Sequence, residues 1–288
     1  MRVLSWIFAG LMPALLPAVE EEPPEVGELL AVGRFEEALP ALVELEQQWR
    51  EEVRMNGTRE NRLTWALSLQ GRGSVEARLQ QFEPALKHLR LARDLAIEGE
   101  FGGETLAGIL DELGRTEGKA GLYEKAQQSL LGAIEQHETL EESEREPWLS
   151  ASQNHLGLIY LITGRYEKAG RIFHGTLGQA GNNSDALRFQ HECLGRYFYV
   201  MRSYAKAAEH LERAREHALA FSTSQFEVEH EEGIHKPAFS EITKKIILRR
   251  LKTLLKSSFE TNGARRTIRR GSRVAPAIPQ ETRPTIQA

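Results

Sequence analysis

The sequence predicts an all-α protein in which helix pairs stack side by side into a solenoid of about five pairs. One observation is the composition, because Ala, Leu, Glu, Gln and Arg are plentiful and strand-forming residues are scarce through the middle of the chain. A second is a motif of an apolar helix, a Gly-containing turn and a second apolar helix with a small residue on its inner face. Its clearest copy is residues 156–176, LGLIYLITGRYEKAGRIFHGT.

The motif recurs along the chain at regular intervals. Five copies align on an aromatic residue followed three positions later by alanine, at Phe35/Ala38, Phe82/Ala85, Tyr123/Ala126, Tyr166/Ala169 and Tyr204/Ala207. The aromatic residues are 47, 41, 43 and 38 positions apart. Each helix pair has an apolar face too large to bury alone, so neighbouring pairs must stack. Gly114, Gly157 and Gly195 in the first helices allow the second helices to approach closely.

The elements follow in chain order. A short helix is expected at 25–31 after Pro23-Pro24, and its partner begins near Phe35. Residues 63–79 form a longer helix pattern, and its partner opens with Pro84 in the first turn, where proline is tolerated. Three further pairs follow, on Leu113-Gly114, Leu156-Gly157 and Leu194-Gly195. We therefore assign residues 19–221 to the repeat array.

These residues resemble the tetratricopeptide repeat (TPR) family over about residues 25–220. The resemblance is strong in the last three units and weakest in the first, whose leading helix is short. The family repeat is commonly about 34 residues, and the longer units here are closer to the long-helix variety of kinesin light chains and bacterial sensor arrays. The resemblance implies a right-handed α-α superhelix that acts as a protein-interaction scaffold. Its concave groove would be lined by the first helix of each pair.

Carried over to this chain, the resemblance implies eleven groove-facing residues: Asp111, Arg115, Lys119, Asn154, Leu158, Leu161, Ile162, Phe189, Glu192, Arg196 and Tyr199. Two alternatives remain for the pairs Asp111/Arg115 and Glu192/Arg196. They are local ion pairs on a solvated helix face, or parts of a mixed groove with an apolar middle that takes an extended or helical peptide. Leu158 and Glu192 do not match the set with which some family members grip a carboxy-terminal tail, so that activity is not expected.

Residues 1–18, MRVLSWIFAGLMPALLPA, have the layout of a secretory signal peptide. A positive start is followed by an apolar run, a small residue and the acidic start of a mature chain. The apolar run contains two prolines and is shorter than a membrane span needs. We expect a cleaved signal and an exported protein, periplasmic or secreted, with an uncleaved membrane anchor as the alternative.

The C-terminal region differs from the acidic body. Residues 1–235 carry 24 Lys+Arg and 38 Asp+Glu, whereas residues 236–288 carry 13 and 3. We predict an acidic linker at 222–237 without helical period, a basic amphipathic helix at 238–260, and a disordered basic tail with prolines at 261–288. The helix either caps the end of the array or lies on an anionic membrane surface through Lys245, Arg249, Lys252 and Lys256.

Chemistry-bearing motifs are weak or absent. The single cysteine, Cys193, lies in an apolar helix pattern and excludes an internal disulfide. The cluster from His230 to His235 lacks the spacing of a helical metal site, and no phosphate loop or nucleophile elbow occurs. We therefore expect no enzymatic activity, no cofactor and no metal, and nucleic acid is an unlikely partner. The expected function is a scaffold for a protein or peptide, with a sensor or adaptor array that regulates a partner enzyme as the alternative, or a peripheral membrane adaptor.

Overall fold

A computed structural model describes residues 24–31, 33–146, 148–179, 181 and 183–231. Within these residues lie eleven helices and no strand: α1 (Pro24–Ala31), α2 (Phe35–Met55), α3 (Arg59–Arg78), α4 (Phe82–Glu98), α5 (Glu104–Lys119), α6 (Tyr123–Glu138), α7 (Glu142–Arg145), α8 (Trp148–Ile162), α9 (Tyr166–Thr176), α10 (Ser184–Val200) and α11 (Tyr204–Glu231). The signal at 1–18, the basic helix at 238–260 and the tail at 261–288 lie outside the described residues.

The helices pack in consecutive pairs, as the sequence predicted. The pairs are α1–α2, α3–α4, α5–α6, α8–α9 and α10–α11, and each pair packs on the next. The first helices of successive pairs, α3, α5, α8 and α10, also contact one another in a row. The described part of the chain is therefore an all-α superhelix, with one layer of first helices and one layer of second helices.

A glycine in four of the five first helices sets the distance within a pair. Gly73, Gly114, Gly157 and Gly195 face the residue 16 positions later, which is Leu89, Leu130, Phe173 and Leu211 in turn. A Cβ on these glycines would lie 2.8, 2.6, 2.5 and 2.6 Å from those side chains, a distance that real contacts do not reach. The alanine 12 positions after each glycine is fully buried. Glycine and alanine together therefore fix how closely the two helices of a unit approach.

The turn between the two helices is also the same in all five units. The residue two positions before each aromatic residue has φ between 58° and 79°, at Gly33, Gln80, Gly121, Gly164 and Arg202. The next residue then donates its N–H over 2.8–2.9 Å to a carbonyl five positions back, as in Arg165 to Tyr160. This pattern is the left-handed glycine ending of a helix, and it satisfies carbonyls that the helix end would leave open.

Variation in unit length lies between the pairs. The offsets of 9, 12 and 16 residues from the first-helix glycine to the aromatic, alanine and packed residue are constant from the second unit onward. The longest of these units, by contrast, contains the extra turn α7 between α6 and α8. A variable repeat period thus leaves the geometry inside each pair unchanged.

Helix α11 corrects one expectation. It runs as far as Glu231, so residues 222–231 are helical, whereas we predicted an irregular segment. Residues 222–231 lack an apolar period, but a helix that already has a buried face at Leu211, Ala214 and Ala218 can extend into polar sequence. Among the described residues no helix is both long and apolar enough to cross a membrane.

Candidate functional site

Each of the first helices α3, α5, α8 and α10 carries a stripe of three residues spaced four positions apart. The burial of these residues decreases toward the C-terminal end of the helix. We call these the floor, middle and edge rows of the groove. The floor row is Gln70, Asp111, Asn154 and Glu192; the middle row is Ser74, Arg115, Leu158 and Arg196; the edge row is Arg78, Lys119, Ile162 and Val200. The edge residues are the last residues of α3, α5, α8 and α10. All four are exposed, whereas all four floor residues are buried.

The floor row is polar in every unit, although its side chains are 1–4% exposed. Asp111 on α5 accepts a hydrogen bond from Ser152 Oγ at 2.8 Å, and its Oδ1 lies 3.0 Å from His155 Nδ1. Both partners are on α8. Asp111 therefore joins the first helices of two successive units instead of facing solvent.

Electrostatics favour the ionised form of Asp111. Burial alone would raise the pKa of this carboxyl, but the charge and hydrogen bond of His155, the charge of Arg115 and the hydrogen bond from Ser152 outweigh burial and lower the pKa to about 2. The carboxylate is thus charged at neutral pH and stabilised by its neighbours. The prediction that Asp111 could form a surface ion pair with Arg115 is wrong, because Asp111 is buried and Arg115 has a different hydrogen-bond partner.

That partner is Glu112, one position along α5. Arg115 Nη1 donates to Glu112 Oε2 at 2.6 Å, and Ser74 Oγ on α3 donates to Glu112 Oε1. Burial would raise the pKa of Glu112, but the charges of Arg115 and Arg78 and the Ser74 hydrogen bond lower it. Glu112 therefore joins α3 to α5 in the way that Asp111 joins α5 to α8, and it places two arginines beside the groove.

The other floor residues are held differently. Glu192 accepts hydrogen bonds from Arg196 at 2.6 Å and from Arg188 at 3.3 Å, so the predicted Glu192/Arg196 pair is present, with the carboxylate buried. Asn154 Oδ1 accepts from Thr176 at 2.9 Å. The Asn154 Nδ2 atom and both amide atoms of Gln70 have no hydrogen-bond partner among the described residues, although they are buried. Unpaired buried amides are costly, and the burial of these two keeps them out of reach of a partner on the groove surface.

The middle and edge rows divide the array into two halves. Near the N-terminal units the side chains are cationic: Arg78 and Lys119 are exposed, and Arg115 is 25% exposed. Near the C-terminal units the edge row is apolar, since Ile162 is 60% exposed and Val200 is 42% exposed, whereas the middle row there holds half-buried Leu158 and Arg196, which is 29% exposed. Tyr199, beside Val200, is 39% exposed and its ring packs edge-on against Tyr204 at 5.6 Å. The edge row of the first helices is thus basic at one end and apolar at the other.

The structure separates the eleven sequence-predicted residues into two groups. Asp111, Asn154, Leu161 and Glu192 are buried and contact neighbouring helices, so they shape the groove. Seven lie where a partner could reach them: Arg115, Lys119, Leu158, Ile162, Phe189, Arg196 and Tyr199. Phe189 is half-buried and packs on His155, with ring centroids 4.9 Å apart. Their role in partner binding remains a prediction.

The groove residues of α3, which are Gln70, Ser74 and Arg78, were not predicted from the sequence. This helix lacks the Leu-Gly pair and the following aromatic residue that mark the later units. A usable signal was present, because Gly73 precedes Ala85 by 12 positions, just as Gly114 precedes Ala126. Among the described residues no group of three or more His, Cys, Asp or Glu is arranged to hold a metal ion.

Comparison with solved structures places this architecture among known folds. The chain is similar to BtubC (BKLC) from P. vanneervenii, with a TM-score of 0.53 and 14% identity over 88% of this chain and 98% of that one. It is also similar to two structures of a kinesin-light-chain candidate from Podosopora anserina with nearly identical TPR-like repeats. Their TM-scores are 0.53 and 0.51, with 18% identity over 67% of this chain and 91% of theirs.

The chain has a TPR-like repeat fold. No family model matches the sequence, and no curated protein matches it either. At these identities the similarity concerns the fold alone, a fold that commonly mediates protein–protein binding. The TPR-like solenoid explains why a polar floor residue such as Asp111 is tolerated. It lies between stacked first helices, where Ser152 and His155 of the next unit satisfy it.

Proposed function

We propose that this protein is an exported TPR-like scaffold that binds a peptide or protein partner along the groove of α3, α5, α8 and α10. The observation that carries the proposal is the stripe itself. Four successive helices present a buried polar floor and an exposed edge at the same register, with the chemistry of the edge changing from unit to unit. A purely structural face would not require exposed Ile162 and Val200 beside exposed cations.

The middle row also offers a hydrogen-bond donor. Arg196 Nε on α10 has no hydrogen-bond partner among the described residues, and the Arg196 side chain is 29% exposed, so a partner in the groove can reach its guanidinium. An extended peptide offers one C=O per residue, an acceptor that a guanidinium can pair with. The unpaired amides of Asn154 and Gln70 lie below this row and are closed to solvent.

Site-specific photo-crosslinking tests the proposal. A benzophenone amino acid replaces Ile162 on the edge row in the full chain or, as the control, Leu131, which is 43% exposed on the second-helix layer. Irradiation in extract of the native cells is expected to give discrete crosslinked products from position 162 that are absent from position 131. Identical products from both positions would reject the groove as the binding surface.

A charge variant checks the same surface without a crosslinker. Substituting Lys119→Glu together with Ile162→Asp changes two exposed edge residues and avoids Arg115 and Arg196, which hold buried carboxylates. We expect the variant to lose the crosslinked partner in a pull-down while its melting temperature stays close to that of the unchanged chain.

The export component has its own test, since N-terminal sequencing of the protein from native cells should begin at Val19, and a chain beginning at Met1 in the cytosol would refute it.

A further inference from the structure

We infer that the partner of this groove is an extended peptide with two blocks, an acidic block that contacts α3 and α5 and an apolar block that contacts α8 and α10. The inference rests on the proposed function and adds the chemistry and spacing of the ligand. It comes from the edge row, where Arg78 and Lys119 are followed by Ile162 and Val200 at equivalent positions of successive units.

The helix dipole alone does not explain the cations on α3 and α5. Cations at a helix C-terminus are favoured by about 0.3–1 kcal/mol through the helix dipole, which accounts for Arg78 and Lys119 taken singly. It does not account for Arg115, which lies inside α5 and is held between them by Glu112. The charges of all three cations act on Glu112, and the charge of Arg115 also acts on the buried carboxylate of Asp111, so three cations lie beside two buried carboxylates. An acidic peptide segment supplies the complement.

The apolar end has no such internal explanation. Ile162 and Val200 end their helices where a cation would be favoured, yet they are 60% and 42% exposed. Tyr199 and Met201 extend this surface, with exposures of 39% and 44%. Aliphatic and aromatic side chains grouped at the end of a groove are typical of the anchor positions of a peptide site.

The helix spacing sets the register of the ligand. Packed helices lie about 10 Å apart, and an extended chain advances ~3.3 Å per residue, so the peptide advances about three residues per unit. The ligand therefore has two acidic side chains about three residues apart, followed at the same interval by two apolar ones. The block order applies in either chain direction, because the edge row fixes position and not polarity.

Charge argues against the chain's own C-terminus as the occupant. Residues 236–288 contain 13 Lys+Arg and 3 Asp+Glu, so this region would place cations against Arg78, Arg115 and Lys119. A separate acidic segment is the better complement. The only charge requirement on that partner is at the end that meets α3 and α5.

Selection from a phage-displayed library of random 12-residue peptides on the full chain tests the inference. Binding of each recovered peptide is then measured by fluorescence anisotropy on two edge variants, Arg78→Gln with Lys119→Gln and Ile162→Ser with Val200→Ser. Matched controls on the second-helix layer are Lys125→Gln with Arg171→Gln and Ile97→Ser with Leu131→Ser, all exposed positions. Thermal melts establish that each variant is folded.

The expected peptides carry an acidic block and an apolar block, with successive acidic or apolar side chains about three residues apart. Each edge variant is expected to weaken peptide binding at least tenfold, whereas the control variants change binding less than twofold. Replacing the acidic block by serine should abolish the effect of the Arg78/Lys119 variant alone. Groove-dependent peptides without the two blocks would overturn this inference and leave the proposed function standing. If no peptide depends on either edge variant, the proposed function fails with it.

Discussion

The two halves of the array share a backbone frame but bury different chemistry between their helices. In α3–α6 the buried side chains include carboxylates held by hydrogen bonds and ion pairs, such as Glu76 with Arg72 and His88, and Glu117 with Arg90 and Ser129. In α8–α11 the corresponding space holds Tyr160, Phe173, Cys193 and Leu194 in one apolar cluster. Glycine and alanine therefore set the geometry of a unit in both halves, whereas the side chains between units can be either polar or apolar.

The largest expected effect tests the shared frame. Phe173→Ala removes a fully buried ring that packs on Gly157, and Leu130→Ala removes the equivalent side chain of the polar half. We expect losses in the free energy of unfolding of about 3–5 kcal/mol for the first and about 2–5 kcal/mol for the second. Urea unfolding measures both.

Ile162→Ala is the exposed control for these two substitutions and should stay within about 0.5 kcal/mol of the unchanged chain. A loss under about 1 kcal/mol at either buried position would show that the glycine contact does not hold the pair together.

An intermediate effect tests the polar half by itself. Glu112→Gln keeps the shape of the side chain but removes the charge that Arg115 and Ser74 bind, so unfolding free energy should fall by about 1–3 kcal/mol, a range reduced because Arg115 is partly exposed. Urea unfolding at low and high salt measures the loss, which should persist in salt because the carboxylate is buried.

The matched control is Glu37→Gln, whose pair with Arg34 is solvent-exposed. Its effect should be smaller than that of Glu112→Gln and should shrink with added salt. Equal effects of the two substitutions would mean that burial adds nothing to the Glu112 network.

The smallest effect distinguishes the halves by pH. Burial, together with the charges of His210, His217 and Arg213, lowers the pKa of His191 to about 4. Since the folded pKa lies below the ordinary value of 6.5, the unfolded chain takes up the proton first as pH falls. Stability contributed by neutral His191 is therefore complete above about pH 6.5 and declines until pH falls to about 4.

His191 on α10 and His210 on α11 form a close pair, with Nδ1 atoms 3.0 Å apart. The charges that act on His210 come from α9 and α11 and belong to Glu209, Arg213, His174 and Lys206. Asp111 behaves oppositely, because its lowered pKa of about 2 keeps its stabilising charge until pH falls below about 4. Between pH 7 and pH 5 the C-terminal half should weaken by about 1 kcal/mol after allowing for partial exposure, and α6 should also weaken because burial lowers the pKa of His137.

Hydrogen exchange at the two pH values locates the change. Lower protection factors at pH 5, after correction for the slower intrinsic exchange of amides at that pH, are expected in α10 and α11 and not in α5, and His191→Gln should reduce the pH dependence. An equal loss of protection in α5, or a His191→Gln chain with an unchanged pH dependence, would contradict the assignment.

The helix pairs were predictable because their signals are local and repeated. An aromatic residue with an alanine three positions later, as at Tyr166 and Ala169, identifies the turn and the packed face without any long-range information. The buried network was not predictable. Asp111 and Glu192 have the sequence appearance of surface charges, and only the stacking of the next unit reveals that Ser152 and His155 surround the first of them.

The end of α11 and the groove residues of α3 show two further limits. Residues 222–231 lack an apolar period, yet a helix can continue beyond its packed segment by its own hydrogen bonds. Arg78 belongs to the edge row only if Gly73 is aligned with Gly114, and that alignment depends on the partner helix. The chemistry of each residue is therefore predictable from its own helix, whereas the alignment of equivalent positions between units requires both helices of a pair.

The constant turn between paired helices has a consequence for how this chain can change in length. Each turn places one residue in the left-handed region two positions before the second helix begins, so an added residue there would rotate that helix off its glycine. Residues 139–146 contain no left-handed residue and hold the extra turn α7, whereas other loops between units contain left-handed residues at Glu100, Gly103 and Gly178. Insertions or affinity tags should therefore be tolerated at residues 139–146 and rejected in the constant turns within units.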